Sequence, residues 1–411
     1  MDKRKFRFAV RKFGPFESAM QKIWDGYCAY AGCKLEAEFV AMDLPELHQT
    51  IITDGGLKNG DWDAAHIVTD WLLEAHTNGA LEDLKPWMAQ HPPEDFPAGW
   101  SNSLLEMQQF EDTIVGLPFH DGPECLIYRK DLFEDPQEQI SFKEKYNKDL
   151  KVPETWEDFI TIARFFQRPE RNLYGTVVAA YPDGHNTVFD FCLQLWTRGG
   201  KLISEDGKIN IHTKEALEGI EFYRNLLKDK DAIHPGSGEY ESVAAGQAFA
   251  RGEVAMMINW FGFAAVCEVA EGINVKGKVD VAGIPKGDHG KSASLNVYWL
   301  YAIGSGSQHK EIAYDFISYA TNMQNDKLLT MEGGIGCRKS TWKDEEINEV
   351  IPYYHKLKML HEHARTLPQR ANWSAIAEVI DEMVTNAVNS EEASETLLAQ
   401  AQHKIESIEN K

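Results

Sequence analysis

Apolar positions along this chain switch between two spacings. Phe6, Phe8 and Val10 alternate with Arg7 and Ala9 in the period-two pattern of a strand over residues 6–10. Met20, Ile23, Trp24 and Tyr27 then recur every three or four residues, which predicts an amphipathic helix from Phe16 to Tyr30. Alternation returns over 34–40. Pro45 suits the first turn of a helix over 44–52, because its missing N–H would have no intrahelical partner there. The short run at 63–68 reads as a buried strand, with Thr69 and Asp70 as cap signals for a helix over 71–77. Strand–helix–strand–helix–strand predicts an α/β fold with a mainly parallel sheet, helices on both faces and ligands at the carboxyl ends of the strands.

The pattern changes at residues 115–131, where two short apolar runs flank a bend rich in Gly and Pro; such a bend can connect lobes. Residues 136–155 are polar, a solvated connection or a short helix. Helices are expected over 156–166, 188–197 with a stop at Gly199 and Gly200, 214–228 capped by Thr213, and 243–251. Strands are expected over 174–180, 254–258, 279–284 and 297–303. Asp206 and Gly207 mark a hairpin turn between 201–203 and 208–211. The remainder reads as helices over 310–321, 326–333, 345–363 and 373–403.

With 411 residues the chain is long enough for two or three domains, or two lobes, each with its own core. Its 42 Lys and Arg against 64 Asp and Glu leave a net charge of −22, which disfavours nucleic acid and anionic membrane surfaces as partners. No run of about 18 apolar residues exists to span a bilayer. The basic start, Met1 to Lys5, leads into a strand pattern rather than the apolar middle of a signal peptide, so a cytoplasmic protein and a mature form with a restored initiating Met both fit. Six cysteines are too few for a disulfide scaffold and contain no C-x-x-C pair; Cys28 and Cys33 fit either a bridge near a helix end or two partly buried thiols.

Catalytic signatures are missing from the sequence. Gly304 and Gly306 lack the last glycine of a dinucleotide loop, which His309 replaces, and no phosphate loop or G-x-S-x-G elbow occurs. His361 and His363, two apart, would face opposite sides of a helix, and Arg365 stands where a zincin needs its second His, so a solvated helix face outweighs a metal site. Neither a metal nor a cofactor is expected. Four aromatic clusters coincide instead with strand ends or chain breakers: Asp70 and Trp71, Phe119 to Asp121, Trp260 to Phe263, and Tyr298 with Trp299. Sugars present flat C–H faces inside a rim of hydroxyls, and stacking rings beside Asp, Glu, Asn, His and Arg answer both.

Several stretches in order resemble the family 1 extracellular solute-binding proteins, the sugar-capturing receptors of ATP-binding-cassette importers. Asp61 to Trp71 with Gly79 to Leu84 is similar to the family's "G-x-x-D, strand, G-x-L-x-x-L" passage. Gly116 to Pro118 and Leu126 to Phe133 look like its "G-x-P … L-Y-Y-N-K-D-L-F", Pro153 to Phe159 like "P-x-T-W-E-E-F", and Ala248 to Met256 like "A-F-x-x-G-x-A-A-M". Ile303 to Ser307, Ala313 to Phe316, Gly333 with Gly334, and Arg338 to Ser340 look like its closing segments.

The resemblance implies a two-lobed clamp of the type II periplasmic-binding kind. One lobe would hold residues 1–118 and 300–341 and the other 123–296 and 342–411, with hinge crossings near 119–122, 297–299 and 341–342 and the ligand between the lobes. Position by position it implies ligand contacts at Arg11, Lys12 and Phe13 after the first strand and at Asp70 and Trp71. It implies further contacts at His120, Asp121 and Glu124 in the bend, at Asn186 and Phe189, and at Trp260, Phe261 and Phe263. Asn296, Tyr298 and Trp299 stand where the family has Gly-Gly-Trp, and Trp373 stands near its late aromatic contact. His120, Asp121 and Arg338 make the neighbourhood more ionic than a neutral sugar needs, which keeps a charged sugar or a polyol phosphate open. The resemblance also implies no catalysis, a membrane permease as partner, a monomer, and a periplasmic or lipid-anchored location after loss of a signal peptide. A secreted carbohydrate-active enzyme and a cytoplasmic sugar sensor are the alternatives.

Overall fold

A computed structural model describes residues 5–410; the basic start at Met1 to Arg4 lies outside the described residues. The chain divides into two compact units. The first takes residues up to Gly122, Val297–His355 and Gln369–Trp373; the second takes Pro123–Asn296, Lys356–Pro368 and the chain from Ser374 on. Residues 342–355, expected in the second lobe, therefore group with the first. Asp344 caps the helix Glu345–Val350, its carboxylate pairs with Lys327 at 2.9 Å, and Ile347 is fully buried.

The first unit is built on a five-stranded sheet in the order Ala37–Met42, Phe6–Arg11, Ala64–Val68, Trp299–Ile303, Leu117–His120. The first three strands are parallel, with Phe8 opposite both Phe39 and Ala64. Trp299–Ile303 runs antiparallel to both of its neighbours. Phe6 and Phe8, two apart, face one side and are fully buried; Phe6 stacks on Trp24 of the first helix at 5.0 Å. That helix, Gly14–Ala31, carries Pro15 in its first turn and buries Phe16, Ala19, Met20, Ile23, Trp24 and Tyr27, the stripe its spacing predicts.

The second unit's sheet runs Val279–Ala282, Glu124–Arg129, Val254–Trp260, Tyr174–Val177. Its first two pairings are antiparallel and only the last is parallel, so the expectation of a mainly parallel sheet in each lobe is corrected to a mixed sheet here. Strand–helix alternation reports crossovers, whereas Glu124–Arg129 pairs with a strand more than a hundred residues away. Helix Trp156–Phe166 approaches the Tyr174–Val177 strand so closely that a Cβ at Gly175 would lie 2.0 Å from the Ala163 carbonyl oxygen.

Some expected elements divide. The helix expected over 345–363 is two helices, Glu345–Val350 and Leu357–Glu362, separated around Pro352, whose ring and missing N–H cannot continue a helix. Residues 373–403 form Trp373–Asn389 and a second helix, Ser394–Glu409. The expected hairpin at Gly207 keeps a left-handed turn, φ 80°, but only a single bridge between Ile203 and Ile209. Residues 136–155 hold one helix, Pro136–Tyr146, capped by Asp135. Among the described residues no helix is long and apolar enough to cross a membrane.

Candidate ligand-binding site

In the first unit the sheet register gathers residues from distant parts of the chain at one sheet end. The parallel strands finish at Arg11, Met42 and Val68, the last strand finishes at His120, and antiparallel Trp299–Ile303 begins there. Trp299 is thus opposite Val68 on one side and His120 on the other. Ala64–Val68 passes directly into the single turn Thr69–Trp71, which places Asp70 and Trp71 at the same end. Trp71 meets Trp299 edge to face at 6.0 Å, and His48 packs against Trp71 at 5.0 Å while its Nε2 lies 3.1 Å from Glu74 Oε2. Phe13 sits 6.2 Å from the His120 ring, and Phe16 lies 4.7 Å from it. Arg11 and Lys12 lead out of the first strand beside Phe13, Arg11 mostly buried and Lys12 exposed. Six of the expected residues, Arg11, Lys12, Phe13, Trp71, His120 and Trp299, therefore share this end, with Asp70 and Asp121 beside them.

His120 is held as a neutral imidazole. Its Nδ1 accepts the Ile335 backbone N–H at 2.9 Å, so the ring proton sits on Nε2, and burial pushes its pKa down to about 4. Behind it His66 accepts the Arg11 N–H through Nδ1 at 3.3 Å, its Nε2 is buried without a partner, and its ring centroid lies 4.4 Å from that of Phe119.

Other expected contacts belong to the framework. Arg338 is 1% exposed; its guanidinium donates to the carbonyls of Glu94 at 2.9 Å and Thr321 at 3.1 Å, lies 3.4 Å from Asp95 Oδ2, and covers the Trp100 ring at 4.4 Å. Tyr298 is fully buried, its hydroxyl donating to Gln108 Oε1 at 2.8 Å. Trp373, grouped with the first unit, is buried in full. Such groups hold loops together, and their burial is spent on that task.

In the second unit Glu124 and Trp260 are direct partners across two antiparallel strands. Trp260 ends its strand and meets Phe189 edge to face at 5.6 Å; Phe189 lies one turn into the helix Asn186–Trp196. Asn186 opens that helix, and its side-chain amide donates to Asp183 at 2.5 Å. Asn259 fixes Trp260 from behind: its Oδ1 accepts the Trp260 N–H at 2.8 Å and its Nδ2 donates to the Ser242 carbonyl at 3.0 Å. Phe261 is fully buried and Phe263 nearly so, its ring lying where a Cβ on Gly246 would come within 2.4 Å. These two rings are core. Asn296 is buried with its N–H on the Arg365 carbonyl at 2.8 Å and its Oδ1 without a partner.

Burial raises the pKa of two acids of this unit, Glu124 and Asp190. Glu124 is 5% exposed with Oε2 unpartnered, and burial, reinforced by Asp190, raises its pKa well above the carboxylate range. Burial also raises Asp190 to about 7, against the lowering effect of the Tyr223 hydroxyl, which donates to it at 2.8 Å. Asp190 and Asn259 were not among the residues expected to matter. Asp190 lies four residues after Asn186, on the same helix face, and helical spacing could have found it; Asn259 is masked by its position inside an apolar strand. Among the described residues no group of three or more His, Cys, Asp or Glu could hold a metal ion. The chemistry offered is stacking on tryptophan plus hydrogen bonds from the His120 imidazole, the Asn186 amide and the polar and charged side chains at the two strand ends.

Residues 14–327 match the family model of the bacterial extracellular solute-binding proteins. A probable ABC transporter-binding protein of Deinococcus radiodurans is 26% identical over 335 residues, 79% of this chain and 74% of that protein. The mannitol-binding protein of Pseudomonas aeruginosa is 23% identical over 391 residues, 89% of this chain and 84% of its own. Among solved structures, "Maltose bound T. maritima MalE3" superposes with a TM-score of 0.86 at 23% identity, covering 98% of this chain and 99% of that one, a likeness of fold.

Proposed function

For a chain that belongs to the bacterial extracellular solute-binding proteins, we propose the role of substrate-capturing receptor for an ATP-binding-cassette importer, with a neutral sugar or polyol as the substrate. The observation that carries the substrate class is a pair of partly exposed tryptophans, each backed by a buried ring: Trp299 against Trp71 in the first unit and Trp260 against Phe189 in the second. A C–H face gains stacking and apolar burial on such rings. The hydroxyl rim finds donors and acceptors in His120 Nε2–H, the Glu124 carboxyl, Asn186 and Asp70. Relatives named for mannitol and a neighbour bound to maltose support the same class.

Neutrality distinguishes this reading from a charged sugar. Arg338, the cation that suggested an anionic ligand, is 1% exposed and engaged by two carbonyls and Asp95. Capture without turnover is favoured because the relatives this chain resembles are named as binding proteins. We place the protein outside the cytoplasmic membrane, in the periplasm or tethered at the surface, acting as a single chain that hands its ligand to a membrane permease. The test is a thermal-shift and tryptophan-fluorescence panel of monosaccharides, disaccharides and alditols. A sugar or polyol that raises the melting temperature in wild type and fails in Trp260→Ala supports the proposal; binding only by phosphate esters, amino acids or peptides overturns it. Recovery of cleaved glycoside from the same incubations would favour the enzyme instead.

A further inference from the structure

The end of the first helix brings two cysteines together. Gly32 adopts the left-handed conformation, φ 67° and ψ 24°, directly after Ala31, the last helical residue. A left-handed residue there folds the chain back, so that the next residue lies over the one three positions before the cap, a contact that is ordinarily apolar. Here those two positions are Cys33 and Cys28. Both thiols are free and partly buried, and both pack against the hydrophobic core of the first unit. The other four cysteines, Cys125, Cys192, Cys267 and Cys337, are fully buried and form a separate class.

We infer that Cys28 and Cys33 are a modification site: in the oxidising surroundings of an extracellular family they close into a disulfide clip across the end of the first helix. The oxidant is a small-molecule disulfide, RSSR. One thiol loses its proton and attacks a sulfur of RSSR, forming a mixed disulfide and releasing RS⁻. The second thiol, deprotonated in turn, attacks the protein sulfur of that mixed disulfide and expels the second RS⁻. Two S–H bonds are lost and one protein S–S bond forms, while RSSR takes up two electrons and both protons as two RSH. Burial and the neighbouring Cys33 push the Cys28 thiol up to about 11, so exchange quickens as pH rises toward that value.

The clip would tie down a helix end with a visible task. Tyr27, Tyr30 and Ala31 form one wall of a surface groove of about 770 Å³ whose other wall includes Tyr314 and Tyr319. Tyr30 is 78% exposed and stacks on Tyr319 at 5.3 Å, so its position depends on how firmly the last turn is held.

The test uses the folded chain and oxidised glutathione at pH 8, followed by acid quench, alkylation, tryptic digestion and mass spectrometry. Cys28 and Cys33 lie in one tryptic peptide, Ile23 to Lys34, so closure reads as a loss of about 2 Da with neither thiol alkylated. Oxidation should also raise the melting temperature of the wild type by a few degrees and leave that of Cys33→Ser unchanged. The four buried cysteines serve as an internal control and alkylate only after unfolding. Alkylation of both Cys28 and Cys33 after oxidation would overturn the inference. So would a glutathione adduct that persists on either one in the wild type, since it would show that the second thiol cannot reach the first.

Discussion

Replacing Asn259 by alanine separates the support of the second aromatic face from the face itself. The side chain is 2% exposed and makes two hydrogen bonds, accepting the Trp260 N–H at 2.8 Å and donating to the Ser242 carbonyl at 3.0 Å. Losing two such bonds, with the Trp260 N–H left without this acceptor, costs about 2–3 kcal/mol. For a unit of roughly 200 residues that lowers the melting temperature by about 5–10 °C. The indole also loses the bond that fixes its backbone against Phe189, 5.6 Å away at 88°, so sugar affinity should fall about tenfold, or 1.4 kcal/mol. Trp260→Ala should do the reverse: it removes the stacking ring and costs about a hundredfold in affinity, yet it melts closer to wild type because Trp260 is only partly buried. Differential scanning calorimetry and isothermal titration on the two variants read both axes. An Asn259→Ala protein that melts and binds like wild type would refute the idea that this amide holds the stacking face.

The framework reading of Arg338 predicts that Arg338→Lys loses about 3 kcal/mol in urea unfolding, because an ammonium has no second nitrogen to reach Asp95 and no planar group to cover Trp100, while ligand affinity stays within about twofold of wild type; a large loss of affinity in a stable variant would return Arg338 to the ligand. Asp190, raised to about 7 by burial, is protonated more readily folded than unfolded. Its stabilising contribution is therefore complete below about pH 4 and is lost as pH rises through 7. Asp190→Asn should accordingly gain on the wild type in urea midpoint between pH 5 and 8, and a constant difference would contradict the shift. Gly175→Ala places a methyl 2.0 Å from the Ala163 carbonyl oxygen, a backbone atom that cannot swing aside, and should cost about 3 kcal/mol in the same assay.

Local pattern was legible where one element faces one core. The first helix carries its buried stripe at the spacing the sequence displays, and Pro352 and Gly32 sit where helices end, although the break at Pro352 was hidden by apolar periodicity on both sides. Strand pairing was legible only in part. The parallel trio follows from alternation of strand and helix, but the antiparallel partnership of Glu124–Arg129 with Val254–Trp260 is a meeting of remote segments that no local spacing encodes. The site divides along the same line. Trp71, His120, Trp299 and Trp260 are legible as strand-end residues because aromatic residues coincide there with the end of an apolar run. Arg338 was read as a ligand contact because its partners are backbone carbonyls, which every residue possesses and no sequence distinguishes. His120 reads as ionic from the sequence for a related reason: charge at a given pH follows burial, and burial follows the fold.

The most direct measurement is isothermal titration of the purified chain with a panel of neutral sugars and alditols, run beside phosphorylated sugars, amino acids and short peptides. The expected result is one ligand per chain, a neutral sugar or polyol with a Kd of about 1 µM or tighter, and loss of that binding in Trp260→Ala. A chain that ignores every neutral carbohydrate while binding a charged solute at comparable affinity would contradict the central claim.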